Sequence, residues 1–130
     1  MLDQRDGPEP QRQDLDGPAL RTFAGLAAAW ALSEAEQARL LGLPDAFTLQ
    51  KWKASPSTQL PDETLERISY LLGIFKAINT LLPDEGRADQ WLRAPNSAPL
   101  FAGSSALDRM MMGKVSDLRC VRQYLEAQLV

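Results

Sequence analysis

Histidine is absent from this 130-residue chain. That gap excludes Ser-His-Asp and Cys-His catalysis and every histidine-ligated metal site. A single cysteine, Cys120, permits neither an internal disulfide nor a C-x-x-C site, which fits a reducing compartment. No apolar run approaches a membrane span, and the N-terminus lacks a basic-then-apolar leader. A soluble, cytoplasmic protein without membrane contact is the expectation. β-Branched residues are few and nothing sustains a period of two, so strands are not expected. Positive charge is not in excess either: 14 Lys and Arg stand against 17 Asp and Glu, a net charge of −3. DNA binding would need a local basic patch, doubled by dimerisation.

What is present is helical punctuation. The length suits one domain or two small subdomains sharing a core. Asp3, Asp6, Glu9, Asp14 and Asp16, against Arg5 and Arg12, carry the whole net charge, and prolines replace apolar residues between Leu2 and Leu15. Residues 1–17 therefore read as a flexible acidic tail. A first helix is expected after Asp16-Gly17-Pro18, with Asp16 as its candidate cap and Leu20, Phe23, Ala27 and Trp30 on one face. Ser33 and Glu36 have capping-box spacing for a second helix, closed at Gly42. Asp45 caps a third, to about Lys53, with Leu49 and Trp52 inward.

The longest helix is expected from Asp62 to Leu82, stopped by Pro83. Leu65, Ile68, Leu72, Phe75, Ile78 and Leu82 form its stripe, and Leu71, Ile74 and Leu81 widen it, so it is a central core element or a subunit contact. Asp84 is the expected cap of a fifth helix to Arg93. Ser105 and Asp108 frame a sixth through Met112, and Ser116 caps the last, with Leu118, Val121, Leu125 and Leu129 inside. Glu34, Glu36, Asp62 and Glu63 sit at helix starts, where the dipole accounts for them without catalysis. Met110 to Met112 point three ways around a helix, so at least one is core, and Cys120 reads as an inert small residue.

Two stretches carry the functional signal. Ala38-Arg39-Leu40-Leu41-Gly42-Leu43 has the A-x-x-L-G pattern of a helix-turn-helix, in which a small residue admits the second helix and glycine makes the turn. In such a unit the second helix enters the major groove. Its candidates are Thr48, Gln50, Lys51 and Lys53, with Arg39 for a phosphate. The pattern equally describes a helical hairpin that only builds the core. The turn is about one residue longer than usual, and the local basic charge is modest. The second stretch holds Trp91-Leu92-Arg93-Ala94-Pro95-Asn96 and Phe101-Ala102-Gly103-Ser104-Ser105-Ala106-Leu107-Asp108. Pro95 and Asn96 favour a turn, Gly103 a positive φ, and Trp91 offers a large packing surface, all readable as architecture.

Taken with Glu66-Arg67-Ile68-Ser69-Tyr70-Leu71-Leu72-Gly73-Ile74 and a closing V-x-x-Y-L helix, these W-x-x-x-P-N and F-x-G-x-x-x-L-D motifs resemble the Xre/MbcA/ParS antitoxins of type II toxin–antitoxin systems. The resemblance spans about residues 20 to 128. It departs at Ala106, where the family commonly has proline before L-D; alanine there weakens preorganisation without altering the fold.

The resemblance implies an all-α chain: an Xre-like helix-turn-helix bundle over 18–82, whose long central helix leads to a small helical toxin-binding domain over 83–130. It implies a non-enzymatic, cofactor-free and metal-free antitoxin, typically a dimer. Its partners would be a RES-domain toxin that consumes NAD, whose active-site entrance it occludes, and operator DNA. The matching toxin-facing residues are Arg119, Arg122, Gln123, Tyr124, Glu126, Gln128 and Val130. Arginine and tyrosine are favoured interface anchors, although an ordinary solvated helix face has the same composition. A helix-turn-helix regulator without a toxin partner is the alternative; a small enzyme is disfavoured by the missing histidine.

Overall fold

The computed structural model describes residues 12–55, 59–84 and 86–129. Among them seven helices follow in order: α1 (Arg12–Ala29), α2 (Glu34–Leu40), α3 (Ala46–Ala54), α4 (Asp62–Leu81), α5 (Arg87–Arg93), α6 (Ala106–Met110) and α7 (Val115–Gln128). The extended pairing among these residues is one isolated bridge between Pro95 and Ser105. The all-helical expectation holds, and so do three caps. Glu36 N–H donates to Ser33 Oγ at 3.1 Å and Ser33 N–H to Glu36 Oε1 at 2.9 Å, a reciprocal capping box. Asp45 Oδ1 accepts from Thr48 N–H at 3.2 Å, and Ser105 Oγ from Asp108 N–H at 3.0 Å. Asn96 Oδ1 accepts from Ala98 N–H at 2.9 Å, the expected side-chain turn.

Four boundaries differ from expectation, each because a nearby group outcompetes the local signal. Helix α1 begins at Arg12 and carries Pro18 in its interior. Asp16 is therefore no cap: its buried carboxylate accepts Leu60 N–H at 2.9 Å, so a contact 44 residues away fixes the helix ahead of the proline. Residues 12–17 of the expected tail are helical, and the rest of that tail lies outside the described residues. Helix α5 starts after Gly86 (φ 85°), because the Asp84 carboxylate turns to Arg87 at 3.6 Å instead of capping. Helix α6 ends at Met110, where Met111 N–H donates to both the Leu107 and Asp108 carbonyls. Helix α7 begins after Lys114, not Ser116, because Asp117 reaches back to accept Lys114 N–H at 3.2 Å.

Helix α4 lies between α1 and α7. Ile68, Leu71, Ile74, Ala77 and Ile78 are buried on it, which makes it a central core element, while Leu65, Leu72, Phe75, Leu81 and Leu82 are half-buried. One continuous core runs from Phe23 and Trp30 of α1 through α4 to Leu118, Val121 and Leu125 of α7. Phe101, from the long α5–α6 connection, is packed edge-on between Trp91 (ring centroids 6.0 Å) and Tyr124 (5.2 Å).

Two arginines knit the helices together. Arg67 of α4, 3% exposed, holds Glu63 at 2.8 Å and donates to the carbonyls of Leu40 (3.4 Å) and Gly113 (2.7 Å). Its guanidinium lies against Gly42 (φ 71°), where a Cβ would stand 2.6 Å from Cζ. The turn glycine is thus required twice, for its backbone conformation and for the space it leaves. Arg93 of α5 donates to the carbonyls of Trp30 (3.1 Å) and Ala31 (3.0 Å), closing the C-terminal end of α1. The same guanidinium forks onto Glu36 at 3.1 and 3.2 Å.

The Arg93 guanidinium holds the Glu36 carboxyl below the usual carboxylate range, the Ser33 N–H adding to the effect against the opposing cost of burial. A depressed native pKa stabilises the fold above the unfolded carboxylate range, and that stability is lost as pH falls through the native value. Glu36→Gln keeps the capping bond but removes the charge. It should cost about 1 kcal/mol at neutral pH, discounted for partial exposure, and nothing in acid. Urea midpoints measured from neutrality to about pH 3 should converge for the two proteins. A constant gap would separate the loss from this ion pair.

Candidate nucleic-acid and partner interfaces

Helix α3 stands on α2 through a buried side made by Leu49, with Trp52 half-buried beside it. Its opposite side presents Phe47, Gln50, Lys51 and Ala54, all exposed at helical spacing. Two of the five expected DNA-facing residues, Gln50 and Lys51, therefore share this outward stripe. Gln50 Nε2 is held by Glu34 Oε1 at 2.7 Å, and Lys51 Nζ lies 5.4 Å from the Phe47 ring centroid. Thr48 is half-buried and bonded to Asp45 at the helix start, so it serves the cap. Lys53 leans back to Gln37 Oε1 at 3.1 Å on α2. Arg39 is exposed near the end of α2. Phe47, 65% exposed, was absent from the expected set, which held only polar and charged residues. Its place in the 47, 50, 51, 54 spacing, opposite Leu49 and Trp52, was the available signal.

On α7 the outward stripe is Arg119, Gln123 and Glu126, all exposed. Arg122 and Tyr124, also expected to face the partner, take part in the fold. Arg122 is seated over Gly73 of α4, lies 5.9 Å from the Tyr70 ring centroid and pairs with Glu126 at 3.0 Å. Tyr124 is half-buried against Phe101. Gln128 is exposed and donates to the Tyr124 carbonyl at 3.4 Å. Val130 lies outside the described residues. Beside the last turn of α7, an open groove of about 270 Å³ is lined by Ile78, Leu82, Trp91, Tyr124, Leu125 and Gln128. The half with α2 and α3 thus offers an aromatic and basic stripe, and the half with α7 a polar stripe beside an apolar groove.

Residues 9–73 match the antitoxin Xre-like helix-turn-helix domain, and residues 78–128 match the antitoxin Xre/MbcA/ParS C-terminal toxin-binding domain. The chain belongs to the Xre/MbcA/ParS antitoxin family. A protein of Sinorhizobium fredii, uncharacterized protein y4oB, is 46% identical over 123 residues, covering 94% of this chain and 93% of the relative. Neither matched domain is an enzyme, and the antitoxin works by binding. The two matches meet within α4, so the helix that closes the helix-turn-helix half also supports α7. No helix among the described residues is long and apolar enough to cross a membrane.

Proposed function

We propose that the antitoxin binds a RES-domain, NAD-consuming toxin in the cytoplasm through residues 83–130 and occludes its active-site entrance. It also binds operator DNA through residues 18–82, as a homodimer, and represses its own operon. One observation carries this reading. The Arg119–Gln123–Glu126 stripe falls inside the toxin-binding match yet stands clear of the core that the rest of α7 builds. Within the fold its side chains do little beyond the Glu126–Arg122 pair at the surface, so an external partner is what would use them. Arg39 and Lys51 give the other half modest phosphate contacts, which a dimer would double.

Deleting the last helical turn is a poor test, because Leu125 is 2% exposed and its loss opens the core. The double substitution Arg119→Glu with Gln123→Glu changes only the outward stripe. Co-expressed with the RES-type toxin of the neighbouring gene, the wild-type antitoxin should restore growth and co-purify with it. The double variant should keep its helical content and lose at least tenfold in affinity, about 1.4 kcal/mol, with growth rescue failing. Full rescue by the folded variant would move the interface off this stripe. A neighbouring product that is harmless and does not associate would leave the regulator reading.

A further inference from the structure

We propose that Phe47 reads thymine methyl groups in the major groove and gives the antitoxin its sequence preference. This rests on the DNA-binding reading above. Phe47 is the second residue of α3, and the N-terminal part of a recognition helix is what meets base edges. Its ring is 65% exposed, although burying a phenylalanine is favourable by about 1.5–3 kcal/mol. The fold leaves that gain unrealised while using Leu49 and Trp52, two and five residues on, to seat the helix. The ring is also held in place: the Lys51 ammonium one turn on lies 5.4 Å from its centroid.

The charges around Phe47 decide what it can meet. Asp45 caps the same helix end, and Glu34 is bonded to Gln50 one turn further on. The capping carboxylate disfavours a phosphate at this end of the helix, leaving phosphate contacts to Lys51 and Arg39. An uncharged feature of the groove fits this place. The thymine C5-methyl is the apolar group that the major groove displays, and phenylalanine is among the side chains that contact it. Phe47 with Lys51 then form one reading unit, the ring against a methyl and the ammonium on the flanking backbone.

The test compares two duplexes of the region immediately upstream of the antitoxin's coding sequence, amplified with thymidine or deoxyuridine triphosphate. They share one sequence and differ in the methyl groups. Binding is followed by fluorescence anisotropy, for the antitoxin alone and for its complex with the toxin. Wild type should bind the thymine duplex about fourfold tighter for one buried methyl, and more for several. Phe47→Ala should bind the thymine duplex several-fold more weakly and lose the preference. Phe47→Leu should keep part of it, and Lys51→Glu should weaken both duplexes. Equal wild-type affinity for the two duplexes, or a preference that survives in Phe47→Ala, overturns the proposal and leaves DNA binding intact. Loss of toxin rescue or of self-association in Phe47→Ala, with its DNA preference unchanged, assigns the ring to a protein contact and also overturns it. Failure of wild type to bind either duplex, alone or in complex, removes the DNA reading itself.

Discussion

Arg67→Met should lower the thermal midpoint by roughly 10 °C, the largest loss expected from one polar substitution in this chain. Methionine fills much of the same volume, so the loss reports the guanidinium. That group is 3% exposed and serves three partners, two backbone carbonyls and the surface carboxylate of Glu63. The Leu40 carbonyl ends α2, the Gly113 carbonyl precedes α7, and Glu63 lies one turn back on α4. Removing the donor leaves at least one buried carbonyl unpaired, and removing one side of a buried hydrogen-bonded set costs about 3 kcal/mol or more. Arg67→Lys should recover little, because an ammonium cannot hold three acceptors in the planar directions that a guanidinium reaches. Circular dichroism melting of the three proteins checks this. A lysine variant as stable as wild type would show that charge, and not the fork, is what the site needs. Gly42→Ala should echo the loss from the other side of the contact, since its Cβ meets the guanidinium at 2.6 Å in a backbone conformation that alanine resists.

Arg67 also marks where the sequence stops being legible. The glycine turn was readable, because A-x-x-L-G is a local pattern and Gly42 at φ 71° is its local consequence. The arginine filling the hollow beside that glycine lies 25 residues on, and no periodicity announces it. Arg93 is the same case: it sits inside a recognisable motif, but its bonds to Trp30, Ala31 and Glu36 bridge some sixty residues. The helices and most caps follow from spacing within four residues, which is why Ser33, Asp45 and Ser105 were found. Asp16 was misplaced because Leu60, its actual partner, is distant. The candidate interfaces divide likewise. That the outer sides of α3 and α7 were the places to look could be read from the chain. Which of their residues are free to meet a partner could not, since Arg122, Tyr124, Thr48 and Lys53 are engaged by groups on the same fold.

Phe101→Ala should be the most damaging apolar truncation in the toxin-binding half, at about 3–5 kcal/mol. Phe101 is 3% exposed, and its neighbours are two aromatic rings that cannot collapse into the vacated volume without breaking their own seats. Trp91 lies on α5 and Tyr124 on α7, so the ring between them holds the 94–105 connection against both helices. Its loss should be uneven. Hydrogen exchange should accelerate first over residues 94–105 and the second half of α7, because those segments meet through Phe101, while α2 and α3 pack on each other and are seated through Leu49. The second half of α7 carries Gln123 and Glu126 of the proposed toxin-facing stripe, so the variant should lose toxin rescue at temperatures where it still binds DNA. Phe101→Leu, which keeps much of the volume, should restore rescue in part. Uniform acceleration across all seven helices would mean that the single core unfolds as one unit, and that the two halves of the antitoxin cannot be uncoupled by packing.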